Sequence, residues 1–389
     1  MPDTAPIVAR IEDELRELAA DGLLRRRRVL DSPCGPECVV DGRPVVSFCS
    51  NDYLGFANHP ELIAAAQAAA AQWGVGSGAS HLVSGHLRPH EEAEAALAEF
   101  VGFPAAITLA TGYMANLAIV PTLVGRGDAV FADRLNHASL IDAVQLSRAD
   151  SHRYPHGDVA GLSAMLAAST AKRKLILTDA VFSMDGDIAP LPQLCELAER
   201  HDAWLVIDDA HGFGVLGESG RGTLAHFALP AHPRTILMGT LGKAAGVAGA
   251  FVAADRTVID WLVNKARSYI FTTAASPILA ATVTKSVALI AAADDRRQRL
   301  RRLIAQLRGG LADTRWRMPP SETAIQPVIV GDNHEALRVA DALFARGLWV
   351  PAIRPPTVAK GSARLRVTLS SEHTEAHAAQ LVDALRALA

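Results

Sequence analysis

The sequence predicts an α/β fold, with a large domain on a mostly parallel sheet followed by a smaller C-terminal α+β domain. Two observations carry that expectation. Between about residues 104 and 253, short apolar runs alternate with helix-length patterns, and most runs are continuous rather than alternating. Continuous runs are what strands covered on both faces look like. After about residue 312 the pattern changes to short strands between two helices. Composition agrees: the 389 residues are 50% apolar, 20% charged and 5% aromatic. This favours helices packed on a sheet over an all-β sandwich, in a soluble globular chain of about two domains with a core large enough to need no disulfides. The expected divisions are 1–49, a leading helix with short strands; 50–285, the large domain; and 286–389, the small one.

Val8, Ile11, Leu15 and Leu18 recur on one helical face, predicting an amphipathic helix over 7–19. "DSPCGPECVVDGRPVVSF" places turn signals around short β-type runs. An Ala-rich helix starts near residue 60 and runs into "GVGSGASHLVSG", too glycine-rich to be other than loop. The strands follow: "AAITLA" (105–110), "DAVFAD" (128–133), "KLILTD" (174–179), "WLVIDD" (204–209), "TILMGT" (235–240) and "VAGAFVA" (247–253). One long helical stretch is expected over 276–312. "AIQPVIV", "GLWVPAI" and "ARLRVTLS" are the strands of the small domain, which ends in an amphipathic helix over 373–388.

The net charge of −3 offers no field to draw in nucleic acid or an anionic membrane. The run Arg25–Arg28 is either a solvated basic face or a contact for a substrate anion. Cys34 and Cys38 lack a second close pair to complete a zinc site, so no metal is expected. Four cysteines, no basic apolar leader and no membrane-length apolar run predict a reduced, cytoplasmic protein.

Ligands of open α/β sheets bind beyond the carboxyl ends of the strands. After "AAITLA" come Gly112 and Tyr113, whose amides would open a helix and could hold a phosphate. His137 follows the next strand, Ser183 follows "KLILTDAVF", and Asp208, Asp209 and His211 follow "WLVI". Thr240 and Lys243 follow "TILMG", and Lys243 is the one charge in "MGTLGKAAGVAGAFVA". Taken singly, His137 could cap a helix, Asp208 could do the same, Ser183 could serve a turn and Thr240 could fill a strand. Clustered at successive strand ends, they point to a ligand.

"GFGVLG" matches the dinucleotide fingerprint on paper, but no helical pattern follows it and no acid lies about twenty residues on. Pyridoxal phosphate fits better. It needs a lysine for its aldehyde, an acid for its pyridine nitrogen, a phosphate cradle and a group on its ring face. Lys243, Asp208, Gly112–Tyr113 with Thr240, and His137 supply these in turn.

"SNDYLGF", "GSGASHLVSG", "DRLNHASL", "FSMDGD", "DDAHGFGVLGESGRG" and "TLGKAAG" occur in this order. On these blocks the chain resembles the α-oxoamine synthase family, pyridoxal-phosphate transferases of fold type I, the aspartate-aminotransferase-like fold. "AIQPVIVGDN" and "AIRPPTVAKGSARLRVTLS" resemble the branch that joins L-alanine to a pimeloyl thioester, pimeloyl-CoA or pimeloyl-acyl carrier protein. The sequence departs from the usual family pattern in "AAGVAGA" after the lysine, in Asp179 where glutamate is common, and in "TGY" for Ser-Gly-Phe.

The resemblance implies a role for each residue. Lys243 carries the cofactor's aldehyde, Asp208 pairs with the ring nitrogen, His211 bonds the ring hydroxyl and His137 stacks on the ring. Ser183 lies at the ring's polar edge, and Thr240, Gly112 and Tyr113 lie at the phosphate. Thr272 and Thr273 reach the partner subunit's phosphate in a homodimer. Asn51, Arg25 and Thr357 contact substrate, and Arg366, with Arg354 as a second candidate, meets the amino-acid carboxylate. Alternation in "ARLRVTLS" independently puts Arg364, Arg366 and Thr368 on one strand face. The alternatives are a glycine- or serine-using member of the same family and a fold-retaining, non-catalytic binding subunit.

Overall fold

The computed structural model describes residues 7–389. The chain forms two compact units: residues 51–183 with 187–298, and the described residues up to 50 with 184–186 and 299–389.

Numbered in chain order, the strands are β1 (Glu37–Val40), β2 (Arg43–Ser47), β3 (Ala105–Leu109), β4 (Ala129–Asp133), β5 (Asp150–Tyr154), β6 (Lys174–Asp179) and β7 (Ala203–Asp208). They continue as β8 (Thr235–Thr240), β9 (Ala250–Ala254), β10 (Ile325–Gly331), β11 (Leu348–Trp349), β12 (Ala352–Ile353) and β13 (Ala363–Thr368). The larger unit holds a seven-stranded sheet in the order β3-β9-β8-β7-β6-β4-β5. β8, β7, β6, β4 and β5 pair parallel, and β9 runs antiparallel to both its neighbours. The apolar runs are buried on both faces of the sheet: Ile107, Val130, Leu175, Leu177, Val206, Ile236 and Val252 share one core with the helix residues Ile119 and Leu140, and Phe131, Ile176, Leu205, Ile207 and Phe251 are buried on the other side. At about 25 cal/mol per Å² of apolar area, this burial is the main stabilising term of the unit.

The predicted helix over 276–312 is two helices, Pro277–Ala291 and Asp294–Leu311. At the break, the buried Arg297 donates Nη1 to the Ile290 carbonyl at 2.8 Å and forms an ion pair with Asp294. The Ile290 carbonyl, at the end of the first helix, thus accepts this guanidinium as well as the Ala293 amide at 3.1 Å.

In the smaller unit, β1 and β2 form a hairpin and β11 adds to β2 in parallel. β10, β13 and β12 make an antiparallel sheet. "GLWVPAI" is therefore not one strand but two, β11 and β12, in different sheets. Pro351 stands between them: it has no N–H to continue a ladder, and its carbonyl accepts the Arg366 amide at 3.1 Å.

β5 carries the chain to His156, whose ring joins two acids. Nδ1 lies 3.1 Å from Asp133 and Nε2 2.8 Å from Asp187. Hydrogen bonds to Asp133 and then Asp187 outweigh burial and push His156 up from 6.5 to about 10. A raised folded-state pKa contributes stability that is complete below the unfolded value and is lost as pH climbs through the folded one. The contribution is thus full below pH 6.5 and gone above about pH 10. Thermal melts of the chain and of His156→Gln across that range should differ by a few degrees at the acid end and converge at the alkaline end. A constant gap would contradict the linkage.

Candidate active site

The strand ends of the seven-stranded sheet gather most of the residues singled out by sequence. Lys243 sits in the turn after β8, half-buried. The turn is tight: the Gly246 amide bonds the Lys243 carbonyl at 2.9 Å. Gly246 has φ +66°, and a Cβ there would lie 2.4 Å from the Phe56 backbone. Only glycine combines that dihedral with that close approach.

Lys243 Nζ lies 3.0 Å from His211 Nε2. The other ring nitrogen, Nδ1, lies 2.5 Å from the Tyr53 hydroxyl, which in turn donates to Asn51 Oδ1 at 3.2 Å. Tyr53 is buried at 1% exposure. Asn51 thus joins the lysine through two side chains, and Tyr53 is a site residue to which sequence reasoning gave no role, although it stands within the block "SNDYLGF".

Asp208 ends β7, buried, and accepts from Asn116 Nδ2 at 2.8 Å and from the Ala210 amide at 3.1 Å. The adjacent acid is used differently. Asp209 is held by the Thr223 amide and hydroxyl, and burial pushes it up to about 7. The structure therefore separates the two acids of "DDAH" into one facing the site and one that ties down the following loop.

His137 caps the helix Ala138–Ser147, with Nδ1 accepting from the Ser139 amide at 3.3 Å. Its own amide donates to Asp179 at 2.7 Å. Ser139 Oγ accepts from Asn116 Nδ2 at 2.9 Å and lies 2.8 Å from His137 Nδ1. The serine proton therefore goes to Nδ1, which fixes the tautomer with the proton on Nε2. Burial, helped by the charge of Lys243 and opposed by Asp208, lowers the His137 pKa below its ordinary value, so the ring is neutral at pH 7. Asp179 is buried beside Asp208, and burial, then the charge of Asp208, raises its pKa well above the ordinary 3.8.

Gly112 and Tyr113 open the helix Gly112–Leu123, whose N-cap Thr111 accepts the Met114 amide at 3.1 Å. Their own amides, in the first turn, have no intrahelical acceptor. A Cβ on Gly112 would stand 2.6 Å from Thr240 Cγ2, so the glycine lets that threonine close on the helix start. Thr240 Oγ1 donates to the Ala210 carbonyl at 3.3 Å. The Tyr113 hydroxyl bonds Asp142. Ser183 stands half-buried in the turn closed by the Val181–Ile188 bridge. Thr272 and Thr273 follow the helix Arg267–Ile270, with Thr273 bridged to Ser80.

The remaining candidates belong to the smaller unit. Arg25 donates to the Thr357 hydroxyl at 3.1 Å. Arg354 bonds the Gly22 carbonyl, and burial, then the charge of Arg25, lowers its pKa. Arg366 is buried on β13 and donates to Thr368 at 3.1 Å, while Arg364, on the same strand, forms an ion pair with Asp185 at 2.7 Å.

Among known proteins, the sequence profile of the aminotransferase class I and II family matches residues 43–385. An 8-amino-7-oxononanoate synthase of Herminiimonas arsenicoxydans is 65% identical over 96% of this chain and 97% of its own length. One from Dechloromonas aromatica is 62% identical over 97% and 99%. Among solved structures, a serine palmitoyltransferase from S. paucimobilis with a bound PLP–myriocin aldimine superposes with TM-score 0.92 at 31% identity, covering 98% of both chains. An 8-amino-7-oxononanoate synthase from Francisella tularensis gives 0.77 at 30% identity over 88% of this chain and 97% of its own. Matched in sequence and backbone over nearly its whole length, the chain belongs to the aminotransferase class I and II family and, within it, to the α-oxoamine synthases.

Proposed function

We propose that this chain uses pyridoxal phosphate to condense L-alanine with a pimeloyl thioester. The products are 8-amino-7-oxononanoate, carbon dioxide and the free thiol, in the biotin pathway. The observation that carries this reading is the near full-length identity of 56–65% to relatives of that name.

The residues present fit the cofactor. One amine, one buried carboxylate and the first-turn amides of a helix stand at neighbouring strand ends, and the glycine at residue 112 lets Thr240 pack against that helix start. Lys243 would hold the aldehyde, Asp208 the ring nitrogen and His211 the ring hydroxyl. His137 would hold the ring face and Ser183 its polar edge, with Thr240, Gly112 and Tyr113 on the phosphate. When bound, the cofactor supplies an aldehyde for the amino group and a cationic ring that takes up the electron pair left on the alanine Cα.

The chain's own residues do the rest. Lys243 Nζ takes the Cα proton and returns one after carbon dioxide leaves. Asn116 and the Ala210 amide hold the Asp208 carboxylate in place by bonding its two oxygens separately. His137, neutral and with its proton on Nε2, donates to the thioester oxygen as the new carbon–carbon bond forms and the carbon–sulfur bond breaks. Arg366 takes the amino-acid carboxylate, with Arg354 as the second candidate, and Asn51, Arg25 and Thr357 contact substrate.

The active assembly is a homodimer in which Thr272 and Thr273 serve the other subunit's phosphate. Its place is the cytoplasm, and the four thiols, all unpaired, suit a reducing compartment. No single helix among the described residues is long and apolar enough to cross a membrane.

The serine palmitoyltransferase likeness favours a second reading, a serine-using condensation with a longer acyl chain. Mass spectrometry of products from alanine, glycine and serine against pimeloyl-, acetyl-, succinyl- and palmitoyl-CoA separates the two. The proposal expects the nine-carbon amino-oxo acid from alanine and pimeloyl-CoA. A preference for another pair would overturn it.

A further inference from the structure

His86, Glu91 and Glu94 stand together in the larger unit, and none of them has a part in the site described above. One donor atom from each lies within 4.8 Å of the other two. Glu91 and Glu94 come from one helix, Arg88–Val101, where residues three apart share a face. His86 ends the turn His81–Gly85 that leads into that helix. Its Nε2 lies 3.2 Å from Glu91 Oε2. Donors bound to one divalent ion at about 2.0–2.1 Å sit roughly 3.0–3.4 Å apart, so this pair already has a ligand spacing.

Glu94 is the independent observation. It is 9% exposed, and its Oε1 accepts from the Thr108 amide at 2.7 Å and the Thr108 hydroxyl at 2.8 Å. Its other oxygen, Oε2, bonds none of the described residues. A buried carboxylate needs a pairing charge or a metal. With Glu91 and His86 it lines a cavity of about 550 Å³. Arg256 and Asp260 line it too, with the arginine donating to the Pro104 carbonyl at 3.0 Å. The far side of His86 is also prepared: Nδ1 lies 2.8 Å from His81 Nδ1, and the His81 ring is stacked on Tyr269 with centroids 4.9 Å apart. With its proton on Nδ1, His86 donates to His81 and presents a bare Nε2 to the cavity, while His81 carries its own proton on Nε2. Both rings are then neutral, and His81 is the outer partner that orients a ligating imidazole.

We propose that His86, Glu91 and Glu94 bind one divalent cation of the zinc or manganese type. Two carboxylates and a neutral imidazole carry two negative charges, which the ion cancels. The mixed nitrogen and oxygen donors suit zinc or manganese better than magnesium. Three protein ligands leave room for water from the cavity. Cysteine spacing does not register such a site, because no thiol takes part in it. The ion ties the start of the helix to the turn before it. His90, on the same helix, donates Nε2 to the Ala275 carbonyl at 2.8 Å, so the brace extends to the segment that holds Thr272 and Thr273. The role is structural, and it stands whether or not the cofactor assignment holds.

Isothermal titration calorimetry of the intact chain, stripped with a chelator and dialysed into metal-free buffer, tests this with the chlorides of zinc, manganese and magnesium in turn. Zinc, manganese or both should saturate at one ion per chain, and magnesium should bind more weakly. His86→Gln removes the imidazole, and Glu91→Gln removes one carboxylate charge. Each should weaken binding by roughly a hundredfold. Glu94→Gln keeps an oxygen for Thr108 and should weaken it as much. Circular dichroism shows which variants are folded. The Glu91 side chain is 64% exposed, so Glu91→Gln carries the test if the other two do not fold. No saturable binding of zinc or manganese at micromolar concentrations would overturn the proposal. So would wild-type affinity in folded Glu91→Gln, which would place the ion elsewhere, and so would magnesium binding as tightly as the other two.

Discussion

Lys243→Ala is expected to lower kcat by roughly 10⁴-fold or more, because one side chain supplies both the covalent hold and the proton transfer. The loss should come without unfolding. Lys243 is half-buried in a turn whose backbone is fixed by its own bonds, including the Gly246 amide to the Lys243 carbonyl. Removing the side chain cuts the contact with His211 Nε2 and leaves the backbone bonds of the turn in place. Melting temperature and far-UV circular dichroism should therefore match the parent while the condensation rate collapses. A variant that keeps more than a hundredth of the parent rate would exclude Lys243 as the proton carrier.

The second large effect is at Asp208. Asp208→Asn preserves size but removes the negative charge opposite the position assigned to the ring nitrogen. The expected loss in kcat is on the order of 10³-fold, the scale at which a single preorganised electrostatic partner is felt in a desolvated site. The substitution also places a side-chain amide against Asn116 Nδ2 and the Ala210 amide, both of which now donate to the carboxylate. Asp209→Asn is the matching control. Asp209 bonds the Thr223 amide and hydroxyl rather than the site, so its replacement should appear chiefly as a lower melting temperature. Steady-state kinetics and melts of the two variants side by side decide the point. Equal kinetic losses would mean that the division of labour between these acids is wrong.

Much of the large unit was legible because its chemistry is local. "KLILTD" and "WLVIDD" are continuous apolar runs, and such runs have few homes other than a sheet covered on both faces. β5 was not legible. Its sequence, Asp-Ser-His-Arg-Tyr, is polar, and four of its five residues are exposed. It pairs with β4 alone, at the edge of the sheet, where no apolar pattern is required. The division of "GLWVPAI" between two sheets was hidden for another reason: β11 pairs with β2, some three hundred residues away, and nothing in a seven-residue run records its distant neighbour.

The site follows the same logic. Lys243, Asp208, His137 and His211 could be read because each stands where a strand ends and each is a residue type with few bland uses there. Tyr53 and Asn116 could not be given roles, since their bonds to His211 and to Asp208 cross long sequence separations. Ser139 adds a third case: two residues from His137, it looks like ordinary helix-start chemistry until Asn116 is seen to fix which way its proton points.

The central claim is that the cofactor is held covalently by the amine of residue 243. Borohydride reduction of the pyridoxal-phosphate-loaded protein, followed by proteolysis and peptide mass mapping, tests it most directly. The account predicts one modified peptide, the one containing "TLGKAAG", with the added mass on Lys243. A modification on another lysine, or none in protein that has visibly bound the cofactor, would contradict it.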